Sequence, residues 1–258
     1  MKNIISLEER KKLQLEILVE IDRFCREKNI KYMLAFGTLL GAIRHKGYIP
    51  WDDDIDISMP IEDMLRFKNE FKSETLQYCD VDTVKNYPYH FSRVSYKNTY
   101  AKNGLIGKEH GVCIDLYPTI EVCSSKDEND AIVDEILPIY KLRLFLIRLR
   151  RILMSCLPIK GLIGFDLIVR KYRDMYLTLF EKKGGGAYHS MAGPLTAFDV
   201  HTFNFNPFED MIEVDFEGRK FMAPIKYHQY LLKRYGDYMQ LPPENQRHPY
   251  HGNNYYWK

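Results

Sequence analysis

The sequence has little of what marks secreted, membrane-spanning or nucleic-acid-binding proteins. Its five cysteines include no close pair and no C-x-x-C motif, which argues against a disulfide framework or a zinc knuckle. No apolar run reaches the roughly 18 residues that a membrane span needs, and the N-terminus has no signal-peptide core. The formal charge of only +2 argues against a dedicated nucleic-acid binder. We therefore expect a cytoplasmic protein with reduced thiols.

The most informative stretch of the 258 residues is Tyr32–Met59, which reads YMLAFGTLLGAIRHKGYIPWDDDIDISM. Its apolar start predicts a buried strand at 32–36, and a short helix is predicted over 39–46. Gly47 is expected to stop this helix, and a second strand is expected to carry Asp54, Ile55, Asp56 and Ile57. The stretch thus predicts two strands joined by a short helix.

A phosphate-binding turn is predicted at Gly37 and Thr38, where the first strand passes into the helix. A glycine lets a phosphate approach the backbone closely, and a helix start offers free N–H groups and a positive dipole end. Arg44 and Lys46 add positive charge nearby.

Acidic residues recur at alternate positions after Trp51. Because side chains alternate faces along a strand, Asp52, Asp54 and Asp56 are expected to share one face, with Asp53 at the frayed strand start. Neighbouring carboxylates repel each other, and a hard divalent cation removes that cost. A metal-binding acid pair at Asp54 and Asp56 beside a phosphate-binding turn suits phosphoryl or nucleotidyl transfer.

These residues resemble a known family. The run Gly37-Thr38-Leu39-Leu40-Gly41, then Arg44, then Ile49-Pro50-Trp51-Asp52-Asp53-Asp54-Ile55-Asp56 is similar to the signature of LicD-type transferases, and Tyr-Gly-Asp-Tyr-Met at 235–239 extends the similarity. This group lies within the polymerase-β-like nucleotidyltransferase superfamily. The resemblance implies an α/β (α+β) fold with a small mixed sheet flanked by helices. It also implies a CDP-activated donor and a glycan acceptor.

A third acid is predicted at Asp115, inside the apolar strand at 112–118. An aspartate buried in such a strand is costly unless it is paired or metal-bound. The resemblance implies that Asp115 lies beside the acid pair and binds metal or accepts a proton. The alternative is a structural aspartate bonded to backbone N–H groups.

The remaining candidates are donor-binding residues. Arg93 and Lys97 lie four residues apart at the strand predicted over 89–96. Either donor binding or a solvated strand face is possible there, and the resemblance favours donor binding for Arg93. Arg247 and His248 in the tail are predicted to reach the donor diphosphate, unless the tail only seals the core. Asp53 is also assigned to the donor site.

The middle of the chain has a different composition. Residues 138–157 contain five basic residues, many apolar residues and no acid, which predicts either a membrane-surface helix or a packed helix with solvated arginines. We predict a catalytic core at 1–123, a helical insertion at 124–183 and a C-terminal lobe at 184–258.

The predicted function is that of a Mg²⁺- or Mn²⁺-dependent transferase with Asp54, Asp56 and Asp115 as metal ligands. As the resemblance implies, it would move phosphocholine, phosphoribitol or phosphoglycerol from a CDP donor to a hydroxyl of a cell-surface, possibly lipid-linked glycan and release CMP. One alternative is a nucleotidyltransferase that releases pyrophosphate. Another is a non-catalytic scaffold at a membrane surface. No nucleic-acid partner is expected.

Overall fold

The chain combines helices with mixed sheets, which confirms the predicted α/β (α+β) class. The computed structural model describes residues 4–85, 87–102, 111–156, 165–181, 185–192, 195–248 and 254–258. The helices are α1 (Leu7–Lys28), α2 (Phe36–His45), α3 (Ile61–Glu70), α4 (Lys126–Cys156), α5 (Phe165–Glu181) and α6 (Tyr227–Tyr235). The strands are β1 (Ile4–Ile5), β2 (Met33–Leu34), β3 (Asp56–Pro60), β4 (Leu76–Cys79), β5 (Ser92–Tyr96), β6 (Thr99–Lys102), β7 (Cys113–Cys123), β8 (Gly186–Ser190), β9 (Thr202–Phe203), β10 (Met211–Phe216), β11 (Arg219–Pro224) and β12 (Asn254–Trp257). Short 3-10 helices span Leu195–His201 and Glu244–Gln246.

A mixed sheet with the order β2-β3-β7-β5-β4 forms the centre of the fold. β3 and β7 run parallel, whereas the other neighbours on this path are antiparallel. The second half of β7 pairs with β8, which also pairs with β9. Helices α1, α3, α4 and α5 all contact β7, which explains why nearly all of its residues are buried and apolar. The small mixed sheet flanked by helices is therefore confirmed.

The passage from β2 into α2 differs from the prediction. The strand is only two residues long, and the helix begins at Phe36 rather than at residue 39. Phe36 has a left-handed φ of 48°, which turns the chain sharply into the helix. The helix ends on Lys46, which has a φ of 60°, so the predicted stop at Gly47 is one residue late.

Helix α1 covers the start of β3. Leu13, Ile17 and Ile21 are buried on its inner face. The same face carries Gln14, whose Nε2 donates to the carbonyl oxygens of Asp53 (3.3 Å) and Cys113 (3.2 Å). These bonds connect α1 to the residues that precede β3 and to the first residue of β7.

The helices of the middle region pack against each other in antiparallel fashion. The rings of Tyr140 in α4 and Tyr172 in α5 lie 5.7 Å apart, while Leu146, further along α4, packs in one cluster with Phe165, the first residue of α5. Within the described ranges, no helix is both long enough and apolar enough to cross a bilayer.

Two smaller sheets complete the fold. β10 and β11 form a hairpin whose turn residues Glu217 and Gly218 both have positive φ, as a type I′ turn requires. β12 lies between β1 and β6, so the first and last described strands are neighbours in one sheet.

Candidate active site

The first turn of α2 lies against the acidic stretch. The Oγ1 atom of Thr38 accepts a hydrogen bond of 2.8 Å from the backbone N–H of Asp56. A Cβ atom on Gly37 would lie 2.7 Å from Oδ2 of Asp52, so the glycine allows this carboxylate to approach the helix start. In this structure Gly37 therefore makes room for a carboxylate, whereas the sequence suggested a phosphate.

The carboxylates of Asp52, Asp53 and Asp54 form a tight cluster. One oxygen of each lies within 4.8 Å of the others. The predicted alternation of faces is wrong here, because β3 begins only at Asp56 and the three preceding residues do not follow strand geometry. Asp53 faces helix α1, where its Oδ2 lies 2.6 Å from Nη2 of buried Arg10. Its predicted role in donor binding is therefore unsupported, and its contact is structural.

Strand register places Asp115 between Asp56 and Arg93. Asp56 pairs with Asp115 across the parallel strands β3 and β7, and Asp115 pairs with Arg93 across β7 and β5. Arg93 donates to both oxygens of Asp115, from Nε at 2.6 Å and from Nη2 at 3.0 Å. Asp115 thus lies next to the acid pair, as predicted, and the bonds to Arg93 account for its burial.

The environment of Asp56 favours a cation. Burial, together with the charges of Asp54, Asp115 and Asp52, raises the pKa of Asp56 well above its ordinary value, and Arg234 opposes this rise. Its Oδ1 atom is buried without a hydrogen-bond partner among the described residues. Burial also raises the pKa of Asp52. Hard oxygen ligands in this arrangement fit Mg²⁺ or Mn²⁺, with Asp54 and Asp56 as ligands and Asp52 and Asp115 close by.

A cleft of about 720 Å³ opens beside the cluster. It lies between the central stretch and the C-terminal region, which are far apart in sequence. Its lining includes Gly37, Leu40, Arg44, Trp51, Asp52, Arg234, Tyr235, Tyr238, Gln240, Gln246 and His248. The volume falls within the range of about 300–1,000 Å³ that small-molecule sites occupy.

Comparison with known proteins agrees with this geometry. Residues 29–134 match the sequence model of the LicD/FKTN/FKRP nucleotidyltransferase domain. The chain carries a LicD-family nucleotidyltransferase domain. The matched residues of this LicD domain include the first turn of α2 and all the carboxylates described above.

One relative extends the match over nearly the whole chain, and two others match shorter parts. The lipopolysaccharide cholinephosphotransferase LicD of Haemophilus influenzae is 28% identical over 268 aligned positions, which cover 96% of each protein. An uncharacterised protein of Rickettsia typhi is 43% identical over 63 residues, covering 24% of this chain and 20% of the relative. One from Rickettsia prowazekii is 42% identical over 53 residues, covering 20% of each.

The basic residues predicted to bind the donor occupy different environments. Arg44 in the LicD domain lines the cleft, where its Nη1 donates to the carbonyl oxygen of Tyr238 at 2.6 Å. Arg247 lies over the ring of Trp51 at 5.5 Å and donates from Nε to a backbone carbonyl, and His248 lines the cleft. Arg44 and His248 thus line the cleft, and Arg247 lies beside the cleft residue Trp51. Arg44 and Arg247 both donate to backbone carbonyl oxygens of the C-terminal region.

The other predicted donor-binding cations lie elsewhere or are engaged. Lys46 is an exposed helix cap whose carbonyl oxygen accepts from the N–H of Glu217 in the hairpin turn. Lys97 donates from Nζ to the carbonyl oxygens of Ser73 and Glu74, so it fastens the loop before β4. Neither lines the cleft. Arg93 is buried against Asp115 and donates to that carboxylate, so its role in donor binding stays a prediction.

Arg234 is the cleft residue that the sequence reasoning missed. Its guanidinium lies 4.2 Å from the ring of Phe36, and Nη1 contacts Nδ1 of His201 at 2.8 Å. Burial and the charge of Arg234 lower the pKa of His201 to about 4, so the imidazole is neutral and accepts this bond at neutral pH. Within the described residues Arg234 forms no ion pair with a carboxylate. The only sequence signal was its position directly before the Tyr-Gly-Asp-Tyr-Met motif.

Proposed function

We propose that this protein is a metal-dependent transferase that moves phosphocholine, or a similar phospho-alcohol such as phosphoribitol or phosphoglycerol, from a CDP-activated donor to a glycan hydroxyl. The name of the Haemophilus influenzae relative, lipopolysaccharide cholinephosphotransferase, supports phosphocholine and a glycan acceptor. The donor and the release of CMP are part of our proposal.

One observation carries the proposal. The side chains of Asp56 and Asp115 stand side by side on parallel strands with Asp54 and Asp52 near them, and Asp52 also lines the cleft of about 720 Å³. Such a concentration of carboxylates is unfavourable without a cation, and phosphoryl transfer depends mainly on positioning and on charge neutralisation. Mg²⁺ or Mn²⁺ held by Asp54, Asp56 and Asp115 would supply that neutralisation.

Arg234 is proposed to bind the donor diphosphate. Arg234 lines the cleft and forms no ion pair with a carboxylate of the described residues. Arg10 and Arg93, in contrast, are paired with Asp53 and Asp115. Neutral His201 contacts Nη1 and the hydroxyl of Tyr235 accepts from Nε, which leaves Nη2 for phosphate oxygens. Thr38 orients the backbone of Asp56 at the same edge.

In the proposed reaction, the acceptor oxygen forms a bond to the phosphorus that bears the alcohol. The bond from that phosphorus to the bridging oxygen breaks, and CMP leaves with the electron pair. A carboxylate of the cluster accepts the proton of the hydroxyl group.

Product analysis tests the proposal. The protein is incubated with Mg²⁺, a glycan acceptor and CDP-choline, CDP-ribitol or CDP-glycerol, and the released nucleotide is identified. CMP supports the proposal, whereas pyrophosphate would support a nucleotidyltransferase. A stabilising donor at a hundredfold excess over its Kd should raise the free energy of unfolding by about 2.7 kcal/mol.

A Mn²⁺ titration followed by thermal unfolding separates an enzyme from an inert scaffold. The wild type should be stabilised by the ion, and Asp54→Ala should lose most of that stabilisation because a ligand oxygen is removed. Asp215→Ala, which changes an exposed hairpin acid, is the matched control. Equal responses of the wild type and Asp54→Ala would contradict the metal site.

A further inference from the structure

The outward face of helix α4 changes character near its middle. Residues 126–137 contain five acids and one lysine, whereas 138–156 contain five basic residues and no acid. Both halves are parts of one continuous helix. The helix therefore presents charges of opposite sign at its two ends.

The second half also exposes large apolar side chains. Leu142, Phe145 and Ile152 are 44%, 58% and 61% exposed. Their spacing of three and seven residues places them on one helical face, and exposed Lys141 and Arg148 flank them. An apolar row of this kind usually faces a protein core, but here it faces outward.

The opposite face of the same segment holds α4 on the protein. Arg143 is only 5% exposed, its Nη2 donates to the carbonyl oxygen of Pro88 at 2.7 Å, and its guanidinium lies 5.4 Å from the ring of Tyr172. Tyr140 packs on the same side. The outward orientation of Phe145 is therefore fixed by contacts on the inner face.

Helix α5 adds to this surface. Because α4 and α5 are antiparallel, the start of α5 lies at the same end of the helix pair as residues 145–152. Leu167, near that start, is 67% exposed. A further exposed apolar side chain therefore lies at this end of the helix pair.

We propose that the second half of α4 and the start of α5 form a docking surface for an anionic lipid bilayer. Apolar side chains flanked by lysine and arginine insert at the boundary between headgroups and acyl chains, and the positive charges are attracted to anionic headgroups. A symmetric contact with a second copy would bring Lys141 and Arg148 against like charges, which disfavours that occupant. The acidic first half of α4 is repelled by the same lipid, so the helix pair docks by one end.

Vesicle flotation with purified full-length protein tests this surface. Vesicles of pure phosphatidylcholine are compared with vesicles that contain about 30 mol% phosphatidylglycerol. Each kind is tested at low salt and at high salt. The wild type should float only with the anionic vesicles and should dissociate at high salt. Lys141→Glu with Arg148→Glu should weaken partitioning by about 25-fold or more, since each basic residue contributes about fivefold. Phe145→Ser should weaken it by about tenfold.

The control variant, Lys28→Glu with Lys72→Glu, reverses the charge of two exposed lysines outside this surface. It should float like the wild type. Wild-type protein that stays unbound with anionic vesicles overturns the proposal, as does equal flotation of all variants. A lipid-free dimer that Phe145→Ser dissociates would instead assign the face to a second copy. Flotation needs no donor or metal, so its result is independent of the proposed transferase activity.

Discussion

The acid cluster has two sides that balance charge in different ways. At its rear, Asp53 is paired with Arg10 and Asp115 with Arg93, and both arginines are buried. On the cleft side, Asp56 has a buried oxygen without a hydrogen-bond partner among the described residues, and Arg234 has no carboxylate partner there. The rear is therefore held together by ion pairs, with Asp115 also a proposed metal ligand, and the cleft side is available for binding. Changes at the rear should alter stability first, and changes on the cleft side should alter activity first.

The largest effect is expected for Asp56→Asn on the cleft side. Loss of a proposed metal ligand should reduce the rate of CMP release by about 1,000-fold. The melting temperature without metal should stay equal or rise, because the change removes a charge that is costly to bury. Asp215→Asn serves as control. A near-normal rate in Asp56→Asn would refute the assignment.

Arg10→Met at the rear should instead reduce stability, by about 3–5 kcal/mol in urea unfolding, because Asp53 loses its buried arginine partner. Lys12→Met, on the exposed face of the same helix, should leave stability unchanged, because its ion pair with Glu8 is fully exposed to solvent. The double variant Arg10→Met with Asp53→Leu should recover most of the loss. If the double variant recovers no stability, loss of the ion pair is not the cause of the destabilisation.

Arg234→Met should raise the KM for the donor by about 30-fold, which corresponds to the loss of roughly 2 kcal/mol from a charged hydrogen bond to phosphate. Stability should change little, since Arg234 has no ion pair to lose within the described part of the chain. Arg234→Lys should restore part of the affinity, and Arg219→Met on the hairpin should behave as wild type. A fall in kcat at constant KM would contradict a role in donor binding.

Stability should also depend on pH through the buried histidines. Burial lowers the pKa of His90 and of His189 well below the ordinary value, and burial with Arg234 lowers that of His201 to about 4. Below pH 6.5 the histidines of the unfolded chain bind protons that those of the folded chain do not. The free energy of unfolding therefore decreases as the pH is lowered. The loss is at most about 1.4 kcal/mol per pH unit for each histidine. His90→Phe should reduce the slope of a urea-unfolding series between pH 7 and pH 5, and an unchanged slope would argue against this origin.

The smallest effect is expected for Lys97→Met. Its Nζ atom bonds to backbone carbonyls of the loop before β4, away from the cleft. The KM for the donor should remain within twofold of the wild type, and stability should fall by about 1 kcal/mol or less. A clear rise in KM would reinstate Lys97 as a donor-binding residue.

Local spacing predicted the parts of the site that lie close together in sequence. Gly37, Thr38, Asp54 and Asp56 fall within 20 residues, and the structure brings them together. The position of Asp115 depends on the parallel pairing of β3 and β7, and the family resemblance rather than a local pattern predicted it.

Other features depend on contacts between distant segments, which no local pattern reveals. Arg10 reaches Asp53 from a helix 43 residues away, and Arg234 reaches His201 across 33 residues. The alternation rule failed at Asp53 because the strand starts later than the pattern suggested. Helix α2 began early because Phe36 adopts a left-handed conformation, which is rare for an aromatic residue.

The small sheet β1-β12-β6 has a consequence for the order in which the chain can be assembled during translation. Its middle strand is the last described one to leave the ribosome, so β1 and β6 have no partner in this sheet until the final residues arrive. Tyr255 of that strand also lies beside Arg10 and closes the space behind the acidic groups. We expect ribosome-bound chains that lack residues 254–258 to be cut by protease near the N-terminus, and released chains to resist.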